Sequence, residues 1–355
     1  MSVDASSSDP SLRLGQQVGR YRLLRLLGQG GTGVVYEAIH ARIGQRVAIK
    51  VLTAQSPMHM NALQQANHEA WAVSQVRHPG LVRISDSGRL KDGAAYLVMD
   101  LLDGESLYDR LQRRAGALLP GDAVHLLRQA ASALAAAHAG GVLHLDLKPE
   151  NLFVCFDPEV PGGARIKLLD FGLAQVRAVR AEGLSGLRAG TPLYMAPEQW
   201  VGATLWPQTD VYALGVILFQ CLIGRPPFVG SGQATLRSLH ASAPVPQLRL
   251  ARADLPEELA VLLTRMMAKE PQHRPSAGQV AACLQRVHEE LALLATPLPA
   301  RVAETDDPLS ASPTVIEPGA ASPQAPEPPS PPDPNVPAQR RNSLPVRPRA
   351  LPECA

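Results

Sequence analysis

The apolar residues of this chain change period partway along, and no other feature limits its fold so strongly. Between Tyr21 and Met99 they come in short runs rich in β-branched and aromatic side chains: Val34-Val35-Tyr36, Val47-Ala48-Ile49, Leu81-Val82-Arg83-Ile84 and Tyr96-Leu97-Val98-Met99. Runs of this kind read as strands. One helix-like segment, 58–76, interrupts them. From about residue 105 helical spacing takes over. Leu127, Ala130, Ala131, Leu134 and His138 stand at i, i+3, i+4, i+7 and i+11, and Gly140-Gly141 supplies a stop. A strand-rich third followed by a helix-rich remainder predicts an α+β protein of two unlike lobes. The cleft between them is the default place for a site.

Proline marks where folding should end. Sixteen of the 33 prolines lie between residues 297 and 352, where they deny a helix its donors and a sheet its ladder. Large apolar side chains are too few there to offset chain entropy. Residues 296–355 therefore read as a disordered, partly polyproline II tail. Residues 1–20, polar and Ser-rich, read as a flexible leader. The folded domain is expected over 21–295, with a small lobe to about residue 102 and a larger one from about 103.

A net charge of +2 gives no whole-chain attraction to nucleic acid or to a membrane surface, so neither is expected as a partner. Cys155, Cys221, Cys283 and Cys354 lie far apart with no CxxC pair, which argues against a disulfide framework or a zinc site and fits a reducing compartment. The first ten residues carry two acids and no apolar run, unlike a secretory signal. The most apolar stretch, 211–224, falls short of the roughly 20 residues that span a bilayer. A cytoplasmic location is expected.

Gly28-Gln29-Gly30-Gly31-Thr32-Gly33 is a GxGxxG segment. Alone it is a weak signal, shared by dinucleotide-binding turns and by plain surface hairpins. A dinucleotide turn needs a helix after it. Here Val34-Val35-Tyr36 follows, which suits a second strand, and Lys50 arrives soon after in Val47-Ala48-Ile49-Lys50. A glycine hairpin lets backbone N–H groups approach phosphate oxygens without interference from Cβ.

In form and spacing these two segments resemble the eukaryotic-type, or Hanks-type, serine/threonine protein kinases. The rest of that family's signature follows in order: His144-Leu145-Asp146-Leu147-Lys148-Pro149-Glu150-Asn151, then Asp170-Phe171-Gly172, then Ala196-Pro197-Glu198. The resemblance implies the bilobal protein kinase fold and transfer of the ATP γ-phosphoryl group to Ser or Thr hydroxyls of proteins, the chain itself included. Such a group is highly charged, so catalysis is mostly positioning and neutralisation.

By the resemblance, Gly28, Gly30 and Gly33 cover the phosphates. Lys50 binds the α- and β-phosphates, held by a carboxylate from 58–76, for which Glu69 has the family's usual distance from Arg77-His78-Pro79. Glu69 as a plain exposed acid is the alternative. Asp146 orients and deprotonates the substrate hydroxyl, and Lys148 reaches the γ-phosphate. Asn151 and Asp170 hold Mg2+, with Mn2+ able to substitute. Met99 backs the adenine pocket, the backbone from Asp100 to Leu102 reads the base, and Val35, Ala48 and Phe153 sandwich it. Lys148 and Thr191, in Gly190-Thr191-Pro192, are the Ser/Thr form. Glu198 pairs with Arg274. Asp210 bonds catalytic-loop backbone in the family, and equally suits a plain N-cap. His144 reads as a packed histidine and His138 as a core or helix-end residue.

The chain departs from the family at Leu145, usually an arginine that pairs with a phosphorylated activation loop. Activation by loop phosphorylation is therefore not expected, although Ser185 and Thr191 are acceptors there. Arg340-Arg341-Asn342-Ser343 makes Ser343 a further phosphosite, and the Pro-rich tail could engage a regulatory protein. A pseudokinase would lack Lys50, Asp146, Asn151 or Asp170, and none is missing. A small-molecule kinase would not need Ala196-Pro197-Glu198 with Arg274. High Ala, Arg and Pro usage suggests a bacterial origin.

Overall fold

The computed structural model describes residues 10–30, 33–52, 75–160, 162–171 and 192–295. All fall within the first of the two units into which the chain divides, Met1–Leu298. Glu69, Ser185, Thr191 and Ser343, most of the 58–76 segment and the whole 296–355 tail lie outside the described residues.

Six strands form one antiparallel sheet: β1 (Gln17–Val18), β2 (Tyr21–Gly30), β3 (Gly33–His40), β4 (Arg46–Leu52), β5 (Ile84–Arg89) and β6 (Ala95–Asp100), in the order β1-β2-β3-β4-β6-β5. Strand alternation sorts its faces. Tyr36, Ala38, Val47, Ile49, Val51, Tyr96 and Val98 join one apolar cluster. Ala48 and Lys50 turn to the other face, where the register sets Ala48 beside Met99, and Lys50 between Val35 and Leu97.

Two expectations need correction. The ordered chain starts before Tyr21: Pro10–Arg13 forms a 3-10 turn and β1 pairs with β2. Arg13 bonds Asp92 at 2.6 Å and the Tyr36 hydroxyl donates to the Pro10 carbonyl at 2.9 Å, so a supposed leader is tied to the sheet. The strand expected at 81–84 is displaced. Leu81 makes only an isolated parallel bridge to Leu168, and β5 begins at Ile84.

After β6 the chain passes through β7 (Gly104–Ser106) into the helices α1 (Leu107–Arg113) and α2 (Pro120–Ala139). Ser106 caps α1, its hydroxyl accepting from the Asp109 amide. Strands β8 (Leu152–Phe156) and β9 (Ala164–Leu168) join β7 in a three-stranded sheet. Then come α3 (Pro197–Trp200), α4 (Pro207–Ile223), α5 (Gln233–Ser242), α6 (Leu248–Ala251), α7 (Glu257–Met266) and α8 (Ala277–Ala295). Helix α4 is buried along nearly its whole length, as a helix apolar on every side must be. Gly215 lets it lie close to α7, since a Cβ there would stand 2.9 Å from that of Met266. Among the described residues, no helix is long and apolar enough to cross a membrane.

Leu81, Leu107, Leu127, Leu134, Leu152, Leu168, Val211 and Leu214 belong to a second, larger cluster. Among the described residues there are thus two cores, one per half, and the segments carrying chemistry lie at their junction.

Candidate active site

Residues 142–151 connect α2 to β8, and side chains from other elements hold this loop in place. Asp210, in the first turn of α4, accepts from the amides of His144 at Oδ2 (2.8 Å) and Leu145 at Oδ1 (2.7 Å), and His138 Nε2 lies 2.8 Å from the same Oδ2. It does not cap its own helix, whose N-cap is Trp206. Of the two readings left open for Asp210, the structure shows the bond to the loop. His144 is fully buried; its Nε2 lies 2.8 Å from the Leu169 carbonyl and its ring 4.5 Å from that of Phe171. One histidine thus joins the 142–151 loop to the segment after β9.

The loop presents three polar side chains together. Lys148 Nζ donates to Asp146 Oδ2 at 3.2 Å, and Asn151 Nδ2 donates to the Asp146 carbonyl at 2.7 Å. Pro149 helps shape the turn: Lys148 before it is extended, at φ −159° and ψ 163°, and Pro149–Asn151 forms a 3-10 turn. The Asn151 amide is thereby oriented, with its nitrogen committed to the loop.

Opposite stands Lys50, on the inner face of β4. Its ammonium, almost wholly buried, meets Asp170 Oδ1 at 2.7 Å. Burial pushes the Asp170 carboxyl up, but the charge and hydrogen bond of Lys50, with His144 and Lys148 behind, hold it below the usual aspartate range. It is therefore ionised at neutral pH. Asp170 sits at φ +60°, a left-handed conformation that costs a non-glycine residue roughly 1–2 kcal/mol. Among the described residues, Ala115 and Leu145 share it, at φ +54° and φ +62°.

Of Gly28, Gly30 and Gly33, only Gly33 is required by the protein's own packing. At φ +152°, a Cβ would meet the Val51 carbonyl oxygen at 2.2 Å, whereas Gly28 and Gly30 face open space. Val35 pairs with Gly28 across the hairpin. Asp100 ends β6 with its amide donating to the Arg83 carbonyl at 3.1 Å, and Leu102 follows. Phe153 lies on β8 between Ser106 and Lys167.

Away from the loop, Glu198 and Arg274 form a buried two-pronged ion pair at 2.6 and 2.9 Å. Arg274 also donates to the carbonyls of Ala268, Lys269 and Gln208, and Thr209 donates to Glu198. Removing one partner from such a pair costs about 3–5 kcal/mol, because the other charge stays buried. Burial pushes Glu198 up, but the Arg274 hydrogen bonds and charge hold its carboxyl below the usual range. The pair anchors 196–198 against α4 and the 268–274 segment.

Three contributors went unread in the sequence. His138 lies in the last turn of α2, as its reading as a core or helix-end residue expects, but its bond to Asp210 is not legible from sequence, nor are the parts of Thr209 and Gln199. Gln199 and Thr209 also bond the backbone three residues before them, but the bonds that reach the site run to atoms distant in sequence, which no local motif announces.

A six-stranded antiparallel sheet set over a helical half, with a lysine of one meeting an aspartate of the other beside the loop of Asp146, is the bilobal protein kinase fold. A family model for the protein kinase domain matches residues 21–284, and the chain belongs to that family. The serine/threonine-protein kinase pkn2 of Myxococcus xanthus is 40% identical over 279 residues, covering 77% of this chain and 33% of its own. Serine/threonine-protein kinase PknA of Mycobacterium tuberculosis is 35% identical over 309 residues, 86% of this chain and 68% of its own. The chain spans a third to under half of the length of pkn2 and of PknH of M. tuberculosis. Among solved structures, the M. tuberculosis PknI kinase domain superposes with a TM-score of 0.59 at 27% identity, over 77% of this chain and 98% of that one.

Proposed function

We propose that the chain transfers the γ-phosphoryl group of ATP to serine and threonine hydroxyls of proteins, itself among them. The observation that carries this reading is the convergence of Lys50 and Asp170, in contact at 2.7 Å, upon the loop where Lys148 touches Asp146.

In this reading Lys50 neutralises the α- and β-phosphates, with Glu69 as its second partner. Val35, Ala48, Met99 and Phe153 flank the adenine, and backbone from Asp100 to Leu102 reads it. Gly28 and Gly30, open to space, leave room for phosphate against the hairpin. Asp146 accepts the proton of the substrate hydroxyl as its oxygen bonds to the γ-phosphorus. The bond from that phosphorus to the β-phosphate oxygen breaks, and ADP leaves. Lys148 steadies the charge on the moving group.

The donors suit a hard divalent cation: Asp170 is an ionised carboxylate, and Asn151 offers an amide oxygen while its nitrogen holds the loop. Mg2+, when bound by Asn151 and Asp170, would offset phosphate charge; Mn2+ has the same ligand preference. Thr191 and the segment anchored by Glu198 and Arg274 would carry the protein substrate. Ser185, Thr191 and Ser343 are proposed acceptors, and the Pro-rich tail a docking segment for a regulatory protein.

Incubation with labelled ATP and Mg2+ tests this. The expected result is phosphate on Ser and Thr of the chain or of an added protein, lowered at least a hundredfold in Asp146→Asn, as for loss of a general base. Absence of labelling in the wild-type chain, or full labelling in the variant, would overturn it.

A further inference from the structure

Leu145 is gripped from both sides. Its amide goes to Asp210 of α4 at 2.7 Å, and its carbonyl accepts from Gln199 Nε2 of α3 at 2.9 Å. The same Gln199 side chain uses its other atom, Oε1, to accept from the Ala196 amide at 2.9 Å. One amide thus bridges Ala196, inside the Ala196-Pro197-Glu198 segment, and the peptide that leads directly into Asp146.

That peptide needs holding. Leu145 is left-handed at φ +62°, a conformation that persists in a residue with a Cβ only where its surroundings over-determine it. Asp146 follows directly, its amide 3.4 Å from His144 Nδ1. Gln199 holds the Leu145 carbonyl of the 145–146 peptide from the side of α3, while Asn151 and Lys148 bond Asp146 itself from within the loop, so the direction of the Asp146 carboxylate is set jointly from the loop and from α3. The Leu145 side chain, an apolar one, can offer no charged link to the rest of the molecule.

We propose that Gln199 is a positioning residue: its amide makes the seating of the 196–198 segment and the aim of Asp146 a single state, so that a displaced segment misdirects the proton acceptor. This rests on the kinase reading above.

Two substitutions separate this role from simple helix capping. Gln199→Ala loses both hydrogen bonds. Gln199→Glu keeps an acceptor for the Ala196 amide but sets a carboxylate oxygen against the Leu145 carbonyl. Steady-state kinetics with Mg-ATP and a Ser/Thr protein substrate should show kcat down at least tenfold in both, with KM for ATP within about twofold of wild type. Wild-type kcat in Gln199→Glu would leave only a cap and sink the proposal, as would a loss confined to KM for ATP. Hydrogen–deuterium exchange supplies a readout independent of turnover. Backbone amides of 143–151 should exchange at least tenfold faster in Gln199→Glu, while those of α7 stay unchanged. Unaltered exchange at 143–151 would overturn the proposal even if the wild-type chain transferred no phosphate, an outcome that would separately remove the kinase reading.

Discussion

His240 shows how far burial, with a cation nearby, can lower a side chain's affinity for a proton. It lies on α5, fully buried, with Nδ1 2.8 Å from the Tyr212 hydroxyl and its ring among those of Trp200, Phe228 and Tyr212. Burial first, then the charge of Lys269, pushes its pKa down to about 4. The unfolded chain, with an ordinary histidine near 6.5, binds the proton more readily between these values. Stability is therefore complete above about pH 6.5 and falls as the pH drops toward 4, by roughly 3 kcal/mol at 1.36 kcal/mol per pKa unit. Urea unfolding at pH 7, 5.5 and 4.5 should show this slope in the wild type and a flatter one in His240→Gln. Equal slopes would mean that other groups govern acid unfolding.

At the scale of elements, the β2–β3 hairpin divides its glycines between two tasks. Gly33→Ala forces a Cβ onto the Val51 carbonyl oxygen and should cost about 1–3 kcal/mol of stability, visible as a fall in Tm of several degrees. Gly28→Ala and Gly30→Ala meet nothing in the protein. They should leave Tm within a degree or so and raise KM for ATP instead. If all three lowered Tm alike, the hairpin would be using its glycines for folding only.

Elements with a clear period were legible in advance. β3, β4 and β6 fall on their β-branched runs, α2 on its i, i+3, i+4 spacing, and α4 on the apolar stretch closed by Gly224 in the left-handed conformation. The 81–84 segment misled because its apolar residues serve the larger core: Leu81 packs there, while β5 itself runs through Ser85, Asp86 and Ser87 with no apolar alternation. The N-terminal turn and β1 are short, and what secures them comes from Asp92 and Tyr36, far along the chain. The site divides on the same principle. Asp146, Lys148, Asn151 and Asp170 sit in contiguous motifs. Gln199 and His138 act across 54 and 72 residues, on a main-chain carbonyl and on Asp210, and such partners leave no trace in a local pattern.

Across the whole molecule, the bond from Lys50 to Asp170 joins the small sheet to the helical half at the point where both groups have work to do. A polyphosphate that draws on the ammonium and a cation that draws on the carboxylate would both compete with the same 2.7 Å contact. Whichever arrives first bears the cost of that competition and spares the other. Metal and nucleotide should therefore tighten one another's hold by one common factor. Calorimetric titration of Mg2+ with and without ADP, and of ADP with and without Mg2+, should return matching gains, and neutralising the lysine as Lys50→Met should shrink both together. The small sheet's lysine would then serve as a tumbler in a two-key lock, indifferent to the order in which the keys are turned.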